Sequence, residues 1–252
     1  MHRSRPQVNL EAIHDGMLRL SVVDGGQQAD IQTITVRIEP HVHNSGDDRA
    51  LSAYLAIKRA VDIVGASVLL VVLSPLFALV ALAIFFEDGA PVLFTQDRAG
   101  KGGRPFRLFK FRTMRRDAEQ RKAALLAQNE SADGVIFKMR DDPRVLRIGR
   151  FLRRMSIDEL PQLLNVLNGT MSLVGPRPHP VNEAAAYNEE ARFRLTVTPG
   201  ITCLWQVMGR SAIPFGEQVK MDRFYIEHRS LWLDVKILYR TVWAVLSGRG
   251  AY

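Results

Sequence analysis

The sequence contains only one cysteine, Cys203, which excludes a disulfide within the chain and a cysteine-rich zinc site. Residues 1–50 contain no long apolar run, so no signal peptide is expected there. The glycine-rich nucleotide-binding motifs, the zinc motif H-E-x-x-H and the hydrolase motif G-x-S-x-G are also missing. Aromatic residues are not interleaved with basic residues as base-stacking platforms require, so no nucleic acid is expected as a partner.

Positive charge is concentrated in the C-terminal four-fifths of the chain. Of the 34 basic and 26 acidic residues, 5 basic and 7 acidic residues lie in residues 1–50. Residues 51–252 therefore carry a net charge of +10, although the chain as a whole carries +8. Such an excess favours an anionic partner, such as a phosphate compound or a lipid surface.

The longest apolar stretch, residues 63–86, contains 24 residues without a charge. That length is sufficient for a membrane helix, but Ser74 and Pro75 interrupt it, and proline bends a helix. Lys58 and Arg59 precede the stretch and further basic residues follow it, which places both ends on the cytoplasmic side. We therefore predict a re-entrant helix-break-helix hairpin over residues 56–88. A kinked spanning helix and a buried core helix are the alternatives.

The chain outside this hairpin predicts a helix-rich α+β protein with two further parts. Residues 1–55 form a polar N-terminal extension, in which residues 17–23 and 31–38 alternate as two strands of a β-hairpin. Residues 89–252 form the main domain, with short strands in residues 91–114, a charged helix over residues 115–128 and a polar loop over residues 129–142.

Two tryptophans mark the C-terminal helical segment. Trp232 and Trp243 are eleven residues apart in a mostly apolar segment, so they share nearly one face of a helix. That face suits a bilayer interface, and packing against a protein core explains the pattern equally well.

Asp158 and Glu159 are the strongest candidates for chemistry. They follow an arginine-rich helical segment, residues 144–155, and precede a second helix. Ser156 and Glu159 fit a capping box, whereas Pro161 favours Asp158 as the helix cap, and a purely capping role is one interpretation. The alternative is functional. A helix N-terminus lowers a carboxylate pKa, an ionised aspartate can attack phosphorus, and an adjacent glutamate can hold a divalent cation.

Two further arginines stand at turns rich in glycine and proline. Arg177 follows Val174-Gly-Pro, and Arg210 follows Gly209. Glycine and proline fix such turns, but an arginine at a turn tip is seldom needed for packing. Both arginines are therefore candidates for binding the phosphates of a substrate.

Seven short motifs in one order resemble those of the bacterial sugar transferases, the monotopic phosphoglycosyl transferases. The resemblance covers about residues 56–248. The motifs are Lys58-Arg59-x-x-Asp62, Ser74-Pro75, Pro91-Val-x-Phe-x-Gln96-x-Arg98-x-Gly100, Lys110-Phe-Arg112-Thr-Met, Asp158-Glu159-Leu-Pro-Gln, Val174-Gly-Pro-Arg177-Pro and Pro199-Gly-Ile-Thr.

The resemblance implies transfer of a sugar-1-phosphate from a nucleotide-diphosphate sugar, with UDP as the expected nucleotide, to polyprenyl phosphate. Asp158 would be the nucleophile that forms a covalent phosphosugar intermediate, and Glu159 would help to bind Mg²⁺. We assign substrate phosphate binding to Arg153, Lys110, Arg112, Arg177 and Arg210. Lys58, Arg59, Ser74 and Pro75 belong to the membrane hairpin.

The same resemblance places the chain at the cytoplasmic face of the bacterial inner membrane, in contact with lipid, at the first membrane step of surface or exopolysaccharide synthesis. Residues 89–252 would then be the catalytic domain, with interfacial helices. A non-catalytic membrane-anchored scaffold is the alternative. The sequence leaves open the sugar and whether the chain forms a homo-oligomer.

Overall fold

The structure is a computed structural model that describes residues 7–13, 17–23, 32–37, 47–118, 120 and 142–247. Helices and strands are mixed, as predicted. The strands are β1 Gln7–Ile13, β2 Met17–Val23, β3 Gln32–Arg37, β4 Leu93–Ala99, β5 Pro105–Phe111, β6 Ser172–Val174 and β7 Gly200–Thr202. The helices are α1 Asp47–Val72, α2 Ser74–Asp88, α3 Arg147–Arg154, α4 Gln162–Leu167, α5 Val181–Ala185, α6 Glu189–Arg192, α7 Leu204–Met208, α8 Phe215–His228 and α9 Leu231–Ser247. The predicted helix over 115–128 and loop over 129–142 lie largely outside the described residues.

Helices α1 and α2 form the predicted helix-break-helix unit. The two axes are bent by 60° at the break. Ser74 and Pro75 occupy the first turn of α2, where proline is tolerated, and the Ser74 hydroxyl donates to the Val71 carbonyl at 2.8 Å. In the described part of the chain, no single helix is long and apolar enough to cross a membrane, whereas this bent pair passes the same criteria of length and composition together.

The helix pair is buried on one side only. Ala66 of α1 and Ile84 of α2 are fully buried against the rest of the protein. By contrast, Val71 is 74% exposed and Phe86 is 81% exposed. The alternative of a buried core helix is therefore wrong, because a large apolar surface of the pair has no cover from the described residues.

Basic and acidic residues at the start of the apolar stretch tie α1 to the main domain. Arg59 donates to the carbonyls of Val166 and Leu167, which end α4 and lack partners within that helix. The Asp62 carboxylate accepts from the Leu173 amide at 2.9 Å. Lys58 donates to a carboxylate of α9 at 2.8 Å. Lys58 and Arg59, whose charges predicted the topology, therefore also attach the base of the hairpin to the main domain.

The carboxylate that receives Lys58 is Asp234, which is the centre of a buried network. Tyr54 of α1 and Tyr225 of α8 donate to its two oxygens at 3.1 and 2.7 Å. Burial and the charge of Asp234 raise the pKa of Tyr225 well above its usual value, so its hydroxyl remains a donor. The network joins α1, α8 and α9.

The N-terminal extension contains a three-stranded antiparallel sheet in the order β1-β2-β3. The two predicted strands are confirmed and pair with each other, whereas β1 was not predicted and the turn between the predicted strands lies outside the described residues. Both edges of the sheet are attached to C-terminal helices. The Val8 amide donates to Glu217 of α8, and Lys236 of α9 donates to the Thr35 carbonyl at 2.6 Å.

The predicted strands of residues 91–114 are present as the antiparallel pair β4–β5, which holds Lys110. The short parallel pair β6–β7 leads into the turn that holds Arg177. These two strands approach so closely at Gly175 and Gly200 that a Cβ atom on Gly200 would lie 2.0 Å from the Gly175 nitrogen. Because only glycine fits there, the course of the chain into Arg177 is closely fixed.

The C-terminal helix α9 resolves the two interpretations of its tryptophans. Trp232 is 63% exposed and Trp243 is 60% exposed, on the same side of the helix as exposed Tyr239. Leu233 and Ile237 are fully buried on the other side. The core-packing interpretation is therefore wrong for both tryptophans, and an aromatic face of α9 points away from the described core.

Candidate active site

Asp158 and Glu159 lie in a tight 3-10 turn, residues 157–159, between α3 and α4. Ser156 precedes this turn in a left-handed conformation with φ of 55° and makes no capping hydrogen bond. Helix α4 begins at Gln162 and has no side-chain cap either. Both predicted caps, that of Ser156 with Glu159 and that of Asp158, are therefore wrong, because the turn separates the carboxylates from the helix that they were expected to cap.

The Glu159 carboxylate is held by two cations. Lys110 Nζ donates to Glu159 Oε1 at 2.8 Å. Arg177 binds the same carboxylate through two nitrogens, with Nη1 at 2.9 Å from Oε2 and Nη2 on Oε1. The charges of Arg177 and Lys110 outweigh the effect of burial and hold the pKa of Glu159 well below its usual value. Glu159 is thus ionised and fixes Lys110 and Arg177 in place.

The neighbouring Asp158 carboxylate is placed differently. Only 8% of Asp158 is exposed, and its carboxylate accepts no hydrogen bond from the described residues. Burial raises the pKa of Asp158 to about 6, and the positive charges of Lys110 and Arg153 only partly oppose this rise. The sequence predicted a lowered pKa from a helix N-terminus, which is wrong, because burial dominates in this turn. Asp158 thus combines a buried carboxylate that accepts no hydrogen bond from the described residues with cationic surroundings.

Arg153 and Arg210 also lie within electrostatic reach of the two carboxylates. The charge of Arg153 acts on Asp158, and Arg153 Nε donates to the Thr113 hydroxyl at 2.9 Å. The negative charge of Glu159 acts on the Arg210 guanidinium and favours its charged form. One of its nitrogens, Nη2, donates to the Ala244 carbonyl at 2.7 Å, whereas Nη1 is buried and has no partner among the described residues. Four of the five predicted phosphate-binding residues therefore lie close enough to Asp158 or Glu159 to interact with its charge.

The fifth, Arg112, lies elsewhere. Its guanidinium forms an ion pair with Asp88 and donates to the carbonyls of Pro91 and Gly89 at 2.6 Å each. Arg112 is buried and closes the C-terminal end of α2 against β5. The structure thus places Arg112 at the end of the hairpin, outside the phosphate-binding group predicted from the sequence.

Two residues near the carboxylates were missed as site residues. The sequence predicts no binding role for Arg98 or Gln162, which belong only to two of the seven motifs. Together with Lys110 and Arg177 they line a cleft whose remaining walls are Leu108 and Pro178. The sequence gives no sign of this proximity, because Arg98 and Gln162 are 64 positions apart.

The predicted magnesium site requires free acidic ligands near Glu159. In the described part of the chain, no group of three or more His, Cys, Asp or Glu residues is placed to hold a metal ion. Both oxygens of Glu159 already accept hydrogen bonds from cations. The residues as placed therefore do not fit a magnesium ion held by the protein alone, since Mg²⁺ requires several free oxygen ligands.

Fold and site together define a class of protein. An apolar bent helix pair adjoins a domain in which Asp158 lies near the charges of Lys110, Arg153 and Arg177, with Arg210 near Glu159, and such a cluster suits a substrate with phosphate groups. The family model for bacterial sugar transferases matches residues 53–248. The chain belongs to the bacterial sugar transferase family, as the resemblance of its motifs indicated.

Individual relatives agree with this assignment. The chain is 48% identical over 200 residues to the galactosyl transferase CpsE of Streptococcus agalactiae, covering 79% of this chain and 44% of CpsE. It is 39% identical over 198 residues to the exopolysaccharide production protein ExoY of Sinorhizobium fredii, covering 77% of this chain and 88% of ExoY. It is also 39% identical over 199 residues to the undecaprenyl-phosphate galactose phosphotransferase of Salmonella typhimurium, covering 78% of this chain and 42% of that enzyme. The chain thus spans less than half the length of two of these relatives.

Proposed function

We propose that this chain is a phosphoglycosyl transferase that moves a sugar-1-phosphate from a UDP-sugar to polyprenyl phosphate. The name of the Salmonella typhimurium relative supports the reaction class, since it describes a phosphotransferase for galactose and undecaprenyl phosphate. The observation that carries the proposal is the Asp158 carboxylate, which accepts no hydrogen bond from the described residues and lies near the charges of Lys110, Arg153 and Arg177. A carboxylate in such a site can serve as a nucleophile toward phosphorus.

The proposed reaction has two displacements at one phosphorus atom. A carboxylate oxygen of Asp158 attacks the phosphorus that carries the sugar, the bond to the bridging oxygen of the diphosphate breaks, and UMP leaves with that bond's electron pair. An oxygen of polyprenyl phosphate then attacks the same phosphorus and releases the Asp158 carboxylate. Lys110, Arg153 and Arg177 offset the negative charge of the phosphoryl oxygens in both steps.

A product assay tests the reaction. Purified protein is incubated with undecaprenyl phosphate and each of a panel of UDP-sugars labelled in the sugar. We expect release of UMP and a labelled lipid diphosphate with at least one sugar, which would also identify the donor. If no sugar in the panel gives product from folded protein, the non-catalytic scaffold becomes the better account.

We further propose that the protein lies at the cytoplasmic face of the inner membrane, with α1 and α2 as a re-entrant hairpin. Exposed apolar side chains such as Val71 and Phe86 support contact with lipid tails. Trp232 and Trp243 support an interfacial position for α9, because tryptophan favours the headgroup region. This position would bring the site close to a lipid-borne phosphate, at the first membrane step of surface or exopolysaccharide synthesis.

The re-entrant topology predicts that both ends of the helix pair are accessible from the same side. Ser52 and Thr95 are exposed before and after the pair, so Ser52→Cys and Thr95→Cys provide labelling positions. In spheroplasts, a membrane-impermeant thiol reagent is expected to label neither cysteine, whereas in inverted vesicles it labels both. Wild-type protein is the control, since its Cys203 is buried and stays unlabelled. Labelling of the two positions from opposite sides would establish a spanning helix.

Mg²⁺ is our proposed cofactor. Because two cations hold Glu159, the ion would need oxygens of the donor diphosphate among its ligands. Transfer is expected to stop when EDTA is added and to return with excess Mg²⁺. Full activity in EDTA would rule out the cofactor and leave the neutralisation of the diphosphate to Lys110, Arg177 and their neighbours.

The raised pKa of Asp158 predicts a loss of activity in mild acid. Above its pKa of about 6 the carboxylate is ionised and nucleophilic, whereas below this pKa it is protonated. With the donor far below saturation and no acceptor, the first-step rate reports the pKa of the unliganded protein, and it should be constant between pH 7 and 8. Below pH 6 it should fall by about tenfold per pH unit. A rate that stays constant down to pH 4.5 would show that Asp158 titrates at its ordinary value.

A further inference from the structure

The cleft beside Glu159 contains more hydrogen-bond donors than the described residues satisfy. Its polar lining consists of Arg98, Lys110, Gln162 and Arg177. Lys110 and Arg177 are engaged by Glu159, but Arg98 and Gln162 form no bond to that carboxylate. The role of Arg98 and Gln162 in the cleft is therefore not explained by Glu159.

Both members of this pair have a buried nitrogen without a partner. Gln162 is 1% exposed, and its amide nitrogen Nε2 has no hydrogen-bond partner among the described residues. The Arg98 nitrogen Nε is also buried and has no hydrogen-bond partner among the described residues. Donors without partners inside a protein are unfavourable, and proteins retain them where a ligand supplies the acceptor.

The pair is held in position. Arg98 Nη2 donates to Gln96 Oε1 at 2.7 Å, and Nη1 donates to the Pro178 carbonyl at 3.2 Å, so the guanidinium is fixed at its far end. Gln162 is the first residue of α4, directly after the turn that presents Asp158. Gln162 is thus attached close to the reacting carboxylate, and Arg98 is fixed on β4 in the same cleft.

The charge in the cleft favours an anion. Burial and the nearby positive charge of Arg177 lower the pKa of Arg98 to about 10, which still leaves Arg98 charged at neutral pH. Among the cleft-lining cations, Lys110 and Arg177 both donate to Glu159, whereas Arg98 donates to the Gln96 amide oxygen and the Pro178 carbonyl and not to a carboxylate of the described residues. A tetrahedral phosphate, with several acceptor oxygens, matches a guanidinium and an amide that converge on one cleft.

We propose that Arg98 and Gln162, in the cleft that Lys110 and Arg177 also line, form a phosphate subsite that binds a phosphate group of a substrate. This inference rests on the proposed function, in which two substrates carry phosphate. The phosphate is either the UMP phosphate of the donor or the terminal phosphate of the lipid acceptor. The chemistry is the same in both cases, and the two half-reactions separate them.

Gln162→Met tests the subsite without loss of side-chain volume. Removal of hydrogen bonds to a charged phosphate is expected to weaken binding by about tenfold to a hundredfold. Inorganic pyrophosphate is the binding probe, measured by calorimetry on wild type and variant in detergent, and it requires no turnover. Arg98→Lys, which keeps the charge but loses the planar guanidinium, is expected to weaken binding similarly. Unchanged affinity in both variants, or no binding by wild type, would overturn the subsite.

The half-reactions then identify the phosphate. If the donor phosphate binds there, covalent labelling of the protein by UDP-sugar without acceptor falls in both variants. If the acceptor phosphate binds there, labelling is unchanged and transfer to undecaprenyl phosphate falls. Absence of labelling in the wild type would count against the proposed function, whereas the pyrophosphate measurement would still decide on the subsite.

Thermal stability separates binding from a structural role. Because Gln162 Nε2 has no partner, Gln162→Met should leave the melting temperature unchanged or raise it. Gln218→Met is the matched control, since Gln218 Nε2 donates to the Ile213 carbonyl away from the cleft. The control variant should keep full pyrophosphate affinity. A lower melting temperature for Gln162→Met with normal affinity would assign Gln162 to the fold alone.

Discussion

Replacement of Asp158 by asparagine is expected to lower the rate of UMP release by about a thousandfold or more, since the nucleophile is lost. The amide is nearly the same size but cannot form the acyl phosphate that the proposed first step requires. The measurement is UMP formation by protein purified in detergent, with and without undecaprenyl phosphate. Exposure of the variant to the same panel of UDP-sugars guards against a change of donor preference.

The same variant should fold at least as well as the wild type. Burial raises the pKa of Asp158, which means that its ionised form is disfavoured in the folded protein at neutral pH. Asparagine removes this cost, so the free energy of unfolding at pH 7.5 is expected to rise by about 1 to 3 kcal/mol. Inactive but stable protein would support a nucleophile, whereas substantial turnover by Asp158→Asn would remove Asp158 from that role.

Replacement of Glu159 by glutamine is expected to reduce activity by about a hundredfold and stability by about 2 kcal/mol. Lys110 and Arg177 would lose the carboxylate that orients them, and both are largely buried. The pH profile gives a more specific signature. Because the charge of Glu159 helps to raise the pKa of Asp158, its removal should shift the acid limb of the first-step profile to lower pH.

Glu217→Gln provides the matched control. Glu217 accepts from Lys220 and from the Val8 amide, so it too is a paired glutamate, but it lies on α8 away from the cluster. This variant is expected to keep the wild-type pH profile and nearly full activity. If Glu159→Gln lost activity without any shift of the acid limb, the proposed electrostatic link between the two carboxylates would be wrong.

The parts of the structure that the sequence predicted correctly depend on local patterns. The uncharged apolar run with a Ser74-Pro75 break determines the bent helix pair, because proline acts on its own helix. Alternation of apolar residues predicted β2 and β3, and the Asp158-Glu159 pair was recognised from a contiguous motif. Each of these signals lies within a single segment of chain.

The parts that could not be predicted depend on contacts between distant segments. Glu159 meets Lys110 from 49 residues earlier and Arg177 from 18 residues later, which replaces the expected role of Glu159 in a capping box. Arg112 was assigned to the phosphates by its position in a motif, but Asp88 at the end of α2 binds it. The attachment of the N-terminal sheet to α8 and α9 likewise joins residues about 200 positions apart, such as Lys236 and Thr35.

The central claim, a covalent phosphosugar on Asp158, is tested most directly by mass spectrometry of the protein after incubation with its UDP-sugar and no lipid acceptor. We expect the intact mass to increase by one sugar phosphate, the modification to map to the peptide that contains Asp158, and undecaprenyl phosphate to remove it. An unmodified protein that nevertheless completes transfer, or a modification on another residue, would contradict the claim.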